Sequence, residues 1–128
     1  MITLSLPYPV SANRYWRKTR TGRTYISPDA MAYRQSVAMA CKQAKIAQIA
    51  GKVSLAVCLH PKMTQKGTAN KALIDLDNAL KVTLDALIGH AYEDDQQVKR
   101  IVIEYGEPVI NGGLSVVIDD YQGENHGG

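Results

Sequence analysis

No stretch of the sequence approaches the roughly 18 uninterrupted apolar residues that a membrane helix requires. The opening run from Met1 to Leu6 has neither a basic n-region nor a long apolar core. These absences predict a cytoplasmic protein with no membrane partner. Cysteine is scarce: Cys41 and Cys58 make neither a disulfide framework nor a metal knuckle. Both sit in apolar stretches and are expected to be buried, reduced thiols. The three histidines, His60, His90 and His126, share no metal-ligand spacing. His60 ends a strand-like run and reads as structural, and His126 lies idle in a glycine-rich tail. There is no glycine-rich phosphate loop and no Ser-His-Asp or Cys-His pattern, so nucleotide hydrolysis, acyl transfer and an organic cofactor are not expected. Internal repeats and domain-scale linkers are also absent.

Acidic residues are nearly missing from one half of the chain. Residues 1–74 hold twelve Lys or Arg and a single acid, Asp29, whereas residues 75–128 hold three Lys or Arg and eleven acids. A net charge of +3 therefore hides a strongly basic half and a strongly acidic one. The basic half suits a polyanion, and the acidic half would repel the same polyanion unless a cation bridged the two. Two solvated faces would give the same count. The length of 128 residues fits one domain, predicted over residues 1–120, with a flexible tail over 121–128.

Ile2, Leu4 and Leu6 alternate with Thr3 and Ser5, the period of a half-buried strand ended by Pro7 and Pro9. Residues 8–24 read as a long polar connection with a tight turn at Thr21-Gly22, and Arg23–Ile26 as a short second strand. Ser27-Pro28-Asp29 starts a helix: Ser as N-cap, Pro at the first position, Asp at the positive end of the dipole. The helix is predicted to run to about Ile49, burying Val37, Cys41, Ala44 and Ala47. Val53–Leu59 reads as a central strand, residues 60–74 as a long basic loop, and Asp77–Ile88 as a second helix closed by Gly89. Val98–Tyr105 and Leu114–Ile118 are further strands, with a reversal at Asn111-Gly112-Gly113. The order β-β-α-β-α-β-β predicts an α+β fold, a mixed β-sheet packed with two main helices.

The informative segment is Asp75-Leu76-Asp77-Asn78-Ala79-Leu80-Lys81. At about 100° per residue, Asp77, Asn78, Lys81 and Asp85 form a polar stripe, while Leu76, Leu80, Leu84 and Leu87 form a separate apolar stripe expected to anchor the helix. Asp75, at the loop-to-helix junction, can turn its carboxylate toward Asp77. Glu93-Asp94-Asp95 follows where the chain turns back toward the Val98 strand, which could carry this cluster to the same face. Gathered carboxylates suit Mg²⁺ or Mn²⁺ held by oxygen, with Lys81 balancing charge on a phosphodiester. Taken singly, D-x-D also fits plain helix capping by Asp77, and Asp94-Asp95 an ordinary turn. An EF-hand is excluded, because Leu80 stands where the loop needs Gly.

Arg14, Arg17, Lys18, Arg20 and Arg23, interleaved with Tyr15 and Trp16, form the best nucleic-acid patch. The cations would neutralise phosphates and the aromatics could stack on unpaired bases, or else fill a core beneath the loop. Asn13 either fixes a turn or contacts phosphate, and Lys62, Lys66 and Lys71 form a second patch or a solvated loop.

Together these residues resemble the RusA-type Holliday-junction resolvases, small endonucleases common on phages and prophages. The resemblance runs from Leu6-Pro-Tyr-Pro-Val-Ser-Ala-Asn13 with Arg14, Tyr15 and Trp16, through Ala32-Tyr33-Arg34, to Asp75-Leu76-Asp77-Asn78 and Lys81. It continues in Asp85-Ala86-Leu87, Tyr92 and Asp94-Asp95 with Val98. It implies a homodimer that binds four-way DNA junctions and needs Mg²⁺, with Mn²⁺ as a substitute. By position, Asp75, Asp77 and Asp95 match the family's metal-binding carboxylates, Lys81 matches its essential lysine, and Asp94 is a weaker candidate. The loop before Asp75 carries scattered lysines in place of an arginine run. The reading is a magnesium-dependent nuclease that resolves junctions in recombination and repair. The alternatives are a branched-DNA-binding protein without turnover and a nuclease acting on forks or flaps.

Overall fold

A computed structural model describes residues 1–123, and the candidate tail residues 124–128, with His126, lie outside the described residues. Strand β1 (Ile2–Leu6) leads into a one-turn helix α1 (Ala12–Tyr15), then strands β2 (Trp16–Lys18) and β3 (Thr24–Ile26). Helix α2 (Pro28–Gln43), strand β4 (Val53–His60) and helix α3 (Leu76–Leu87) follow. A 3₁₀ turn at Asp95–Gln97 then opens strand β5 (Val98–Tyr105), and β6 (Gly113–Asp120) is the last strand.

The α+β class and the mixed sheet agree with the sequence reading. The four-stranded sheet has the order β1-β6-β4-β5, with β4 and β5 parallel and the other pairs antiparallel. Alternation explains its two faces. Leu4 and Leu6, then Val53, Leu55, Val57 and Leu59, then Leu114, Val116 and Ile118 are all buried on one face, under the helices. The opposite face presents Thr3, Ser5, Ala56 and Val117, none of them fully buried.

Four expectations are corrected. The connection 8–24 is not irregular: α1 and β2 lie within it, and β2 pairs with β3 in a separate two-stranded hairpin around Gly22. Helix α2 stops at Gln43 instead of Ile49, because Lys45 takes a left-handed φ of 53° and tertiary bonds claim the next residues. Ile49 N–H donates to Ala91 and the Gln48 amide to Gly89, which leaves Ala44 and Ala47 exposed.

The buried face of α3 is rotated from the leucine stripe. Ala79, Val82, Thr83, Ala86 and Leu87 are buried, while Leu76, Leu80 and Leu84 are half-buried at the margin. Small residues let the helix approach closely enough for the Tyr33 hydroxyl to meet Thr83 Oγ1 at 3.2 Å. The reversal at Asn111-Gly112 does not join neighbouring strands either. It carries the chain past the end of β4, from β5 on one side to β6 on the other. Finally, loop 60–74 is braced by short bridges from Lys62 to Val109 and from Met63 to Ala69.

Candidate active site

Two tyrosines hold the chain at the entrance to α3. The Tyr105 hydroxyl, at the end of β5, donates to the Ile74 carbonyl at 2.9 Å. The Tyr8 hydroxyl accepts the Ile74 N–H at 3.1 Å. Both polar groups of the residue before Asp75 are thus fixed by the sheet end and the segment after β1. Asp75 occupies the N-cap position with extended backbone (φ −67°, ψ 146°), yet its carboxylate caps nothing. Asp77 and Lys81 are exposed on the first turns of the same helix. Among the described residues neither carboxylate is in an ion pair. Tyr105 is pushed above the usual tyrosine range by partial burial and then by Asp75, Tyr8 and Asp77, so the aspartates' field reaches that hydroxyl. Neither Tyr8 nor Tyr105 was singled out from sequence, since the contacts are made across the fold.

The second acidic segment is built as a turn. The Asp94 side chain accepts the Gln96 N–H at 2.9 Å, which occupies it as a cap. Gln97 fixes the turn: its oxygen accepts the Glu93 and Asp94 N–H groups, and its amide donates to Ile49 and Gly51 carbonyls. Asp95 is exposed at the head of β5. Its carboxyl is held above the usual carboxylate range by partial burial, then by Asp94 and Asp85, with a backbone hydrogen bond opposing.

The sequence reading gathered Asp75, Asp77 and Asp95 in one cluster, and a single chain does not bring them together. Helix α3 runs antiparallel to β5: its entrance meets Tyr105 through Ile74, and its exit meets Tyr92, whose hydroxyl donates to Leu84 at 2.8 Å. Asp95 therefore neighbours the exit, by Asp85, while Asp77 lies about 12 Å back along the helix axis at 1.5 Å per residue. Among the described residues no group of three or more His, Cys, Asp or Glu could hold a metal ion. Asp85 leaves the expected polar stripe as well. It accepts the Tyr15 hydroxyl and lies 4.0 Å from Arg34.

The basic residues divide into distinct groups. Arg17, Lys18, Arg20 and Arg23 are exposed on the β2–β3 hairpin, where Arg17 stands opposite Tyr25, an exposed aromatic that the sequence reading passed over. Trp16 is partly exposed, its ring against that of Tyr15 with centroids 4.4 Å apart. Tyr15 itself is corrected: it is fully buried and its hydroxyl is spent on Asp85, so it is a core residue and does not face a base. Asn13 is exposed on α1. Arg14 is paired with Asp29 at 3.0 Å. Lys62 lies over the Tyr8 ring at 5.0 Å, while Lys66 and Lys71 are exposed on the loop. A cleft of about 600 Å³ joins Arg14, Lys62 and Ile74, so basic surface leads to the residue before Asp75. His60 is structural as read, with Nδ1 against the Glu107 carbonyl and Nε2 against Ser115 Oγ, both at 2.8 Å.

The profile of the RusA endodeoxyribonucleases matches residues 7–119. The chain belongs to the RusA endodeoxyribonuclease family. A crossover junction endodeoxyribonuclease of Enterobacteria phage HK97 is 35% identical over 118 residues, covering 91% of this chain and 92% of the phage protein. The crossover junction endodeoxyribonucleases RusA of Escherichia coli K12 and Shigella sonnei are each 36% identical over 115 residues, covering 87% of both chains. The RusA match takes in the Tyr8–Tyr105 clamp, both acidic segments and the basic hairpin.

Proposed function

We propose that this chain is a divalent-cation-dependent endonuclease that resolves four-way DNA junctions as a homodimer. The carrying observation is the pair Asp75 and Asp77, held at the α3 entrance by Tyr8 and Tyr105 but hydrogen-bonded to neither. Two unengaged carboxylates suit Mg²⁺, which takes one or two carboxylates and completes its shell with water and substrate phosphate; Mn²⁺ fits the same oxygen donors. Bound there, the ion supplies an activated water and neutralises charge on the phosphodiester.

The remaining work falls to the chain's own residues. Lys81, one turn beyond Asp77, offers a cation to the phosphate as its charge develops. The cleft from Arg14 to Ile74 and the cations of the β2–β3 hairpin hold flanking phosphates, and Trp16 and Tyr25 offer exposed rings to bases opened at a branch point. A two-fold dimer suits the reaction, because converting a junction into two duplexes needs two symmetry-related cuts. No helix among the described residues is long and apolar enough to cross a membrane, consistent with action on cytoplasmic DNA.

The test compares wild type with Asp75→Asn on a synthetic four-way junction, a fork and a linear duplex, in Mg²⁺ and in EDTA. Paired symmetric nicks on the junction, lost in EDTA and in the variant, are expected. Junction binding by the variant in EDTA should equal or exceed that of wild type, since a charge facing phosphate is gone. Tight junction binding with no cutting in Mg²⁺, or in Mn²⁺ in its place, would make the protein a branched-DNA binder, and preferential cutting of the fork would reassign the substrate.

A further inference from the structure

The turn between β5 and β6 carries an apolar side chain that the fold does not use. Ile110 is 77% exposed, more than any other large apolar residue of the described chain except Met1. Val109 beside it and Met63 on the neighbouring loop are 37% and 38% exposed. Single exposed apolar residues are ordinary on a protein surface. These three stand on two turns joined backbone to backbone, which makes them a patch. Met63 N–H donates to the Val109 carbonyl, and Val109 N–H to the Pro61 carbonyl, both at 3.0 Å.

Both turns are held stiffly. Gly112 N–H closes the first on the Val109 carbonyl at 2.9 Å. Asn111 and Gly112 take left-handed backbone (φ 66° and 70°), with Ile110 at the corner ahead of them. A side chain does not fit at Gly112, since its Cβ would come within 2.6 Å of Tyr8 Cδ1. The second turn is a small hairpin: Met63 bridges Ala69, and Asn70 N–H donates to the Lys62 carbonyl at 2.8 Å. Thr64 N–H donates to the Thr68 carbonyl, also at 2.8 Å. Residues 65–69 are all exposed, so this order buries no core surface to offset its entropy.

The surroundings suit nucleic acid. From Lys62 to Ile74 the loop has three lysines and no acid, and Glu107 is the single acid between β5 and β6. Lys62 and Asn111, the chain neighbours of Met63 and Ile110, line the cleft that reaches Arg14 and Ile74. Tyr8 ties this corner to the aspartates: its ring lies against Gly112 and under Lys62, and its hydroxyl holds Ile74, the residue before Asp75. We propose that Ile110, backed by Val109 and Met63, is a wedge that enters the base stack at the branch point and holds the strands apart beside the Asp75–Asp77 pair. This rests on the reading of the chain as a junction nuclease and names the element that tells a branch from a duplex. Apolar side chains inserted between base steps unstack them at a cost, and that cost is least where pairing and stacking are already broken, as at a crossover. Lys62, Lys66 and Lys71 neutralise the phosphates around the opened bases.

The opening of the stack can be read directly. A synthetic four-way junction carries a fluorescent aminopurine in place of one adenine beside the branch point. In EDTA, where no strand is cut, wild type should raise the fluorescence of this base on binding. Ile110→Ser should lose most of that rise, and Ile110→Leu, which keeps the apolar bulk, should retain it. Loss of one base contact should weaken junction binding roughly tenfold and leave duplex binding unchanged. Ile110 lies outside the core, so neither variant should shift the melting temperature. Met39→Ser on α2, at a side chain 61% exposed, is the control and should match wild type in every readout.

Cleavage in Mg²⁺ adds a rescue. Ile110→Ser should cut the junction about tenfold more slowly, and mismatched pairs flanking the crossover should bring it back near the wild-type rate, because the opening is then already made. An Ile110 with a merely structural role would not respond to mismatches. No fluorescence rise with wild type, an undiminished rise with Ile110→Ser, or no rescue by mismatches would overturn the wedge even where wild type cuts the junction. A smaller mass for Ile110→Ser on light scattering, with its fluorescence rise intact, would also overturn it and give the patch to a protein contact. A wild type that neither binds nor cuts the junction overturns the nuclease reading itself, and the wedge with it.

Discussion

Tyr105 donates its hydroxyl proton to the Ile74 carbonyl, one residue ahead of Asp75, so the end of β5 fixes the start of α3. Tyr8 holds the other side of the same residue by accepting its N–H. Cutting Tyr105 back to Phe keeps the ring and loses only this bond, worth about 1 kcal/mol. The expected result is a small drop in melting temperature and a cleavage rate lowered about tenfold or more, because the carboxylates lose their fixed approach. Tyr8→Phe should behave alike, and the double variant should fall short of the sum, since both act on one peptide. Single-turnover cleavage beside thermal melts separates the two effects; equal losses in rate and stability would make the clamp merely structural.

Tyrosine burial sets a limit at alkaline pH. Tyr15 is held protonated above the usual value of 10.0, chiefly by burial and then by its bond to Asp85. Burial pushes Tyr33 up to about 12 and raises Tyr92 as well. Each raised value means that the folded chain binds more protons than the unfolded chain above pH 10. Stability from these groups is complete below pH 10 and is lost as pH rises through the folded values. Melting temperature should fall increasingly steeply above about pH 10, and Tyr15→Phe should flatten that fall while costing about 1–3 kcal/mol at neutral pH. A flat profile to pH 12 would contradict the burial of these hydroxyls.

The basic hairpin makes a prediction in salt. Arg17 and Arg23 are exposed, whereas Arg14 is already paired with Asp29. Each phosphate contact adds about 0.9 to the slope of log affinity against log salt. Arg17→Ala and Arg23→Ala should each weaken junction binding and lower that slope by about one. Arg14→Ala should change it less. Binding titrations from 50 to 200 mM salt decide this, and an unchanged slope for both hairpin variants removes the hairpin from the interface.

Gln97 is the keystone of the turn that carries Asp95. It makes four hydrogen bonds to backbone, two within the turn and two to the segment before β4. Gln97→Leu preserves bulk and removes them, so a loss of about 2–4 kcal/mol and faster hydrogen exchange at Glu93 and Asp94 are expected. Gln97→Glu keeps the oxygen that accepts from Glu93 and Asp94 and should recover part of both.

Local rules were enough for much of this architecture. Ser27-Pro28-Asp29 starts α2 through the predicted cap, where Ser27 Oγ accepts the Ala30 N–H at 3.2 Å. Alternation read the buried face of β1, and Asp77 and Lys81 emerged from one helical stripe with Asp75 at the junction before it. What stayed hidden depends on contacts far apart in sequence. The end of α2 is decided by Ala91 and Gly89 bonding residues near 49, and no local signal marks that. The leucine stripe was misjudged because alanine and threonine, weakly apolar on any scale, allow the closest approach to Tyr33. Asp95 was misplaced within the chain because the direction of α3 against β5 is a tertiary fact. Tyr15 was ambiguous from sequence, and only its burial against Asp85 settles it.

The strand order has a consequence for how the enzyme comes into being. β6, the last strand formed, lies between β1, the first, and β4. Until residues 113–120 are available, β1 has no partner in the main sheet, and the two halves of the core share no strand. A chain growing from its N-terminus thus acquires its basic hairpin and its aspartates early, while the main sheet closes between β1 and β4 only when its final strand arrives. A fragment halted before β6 therefore lacks the strand that joins β1 to β4 and completes the sheet.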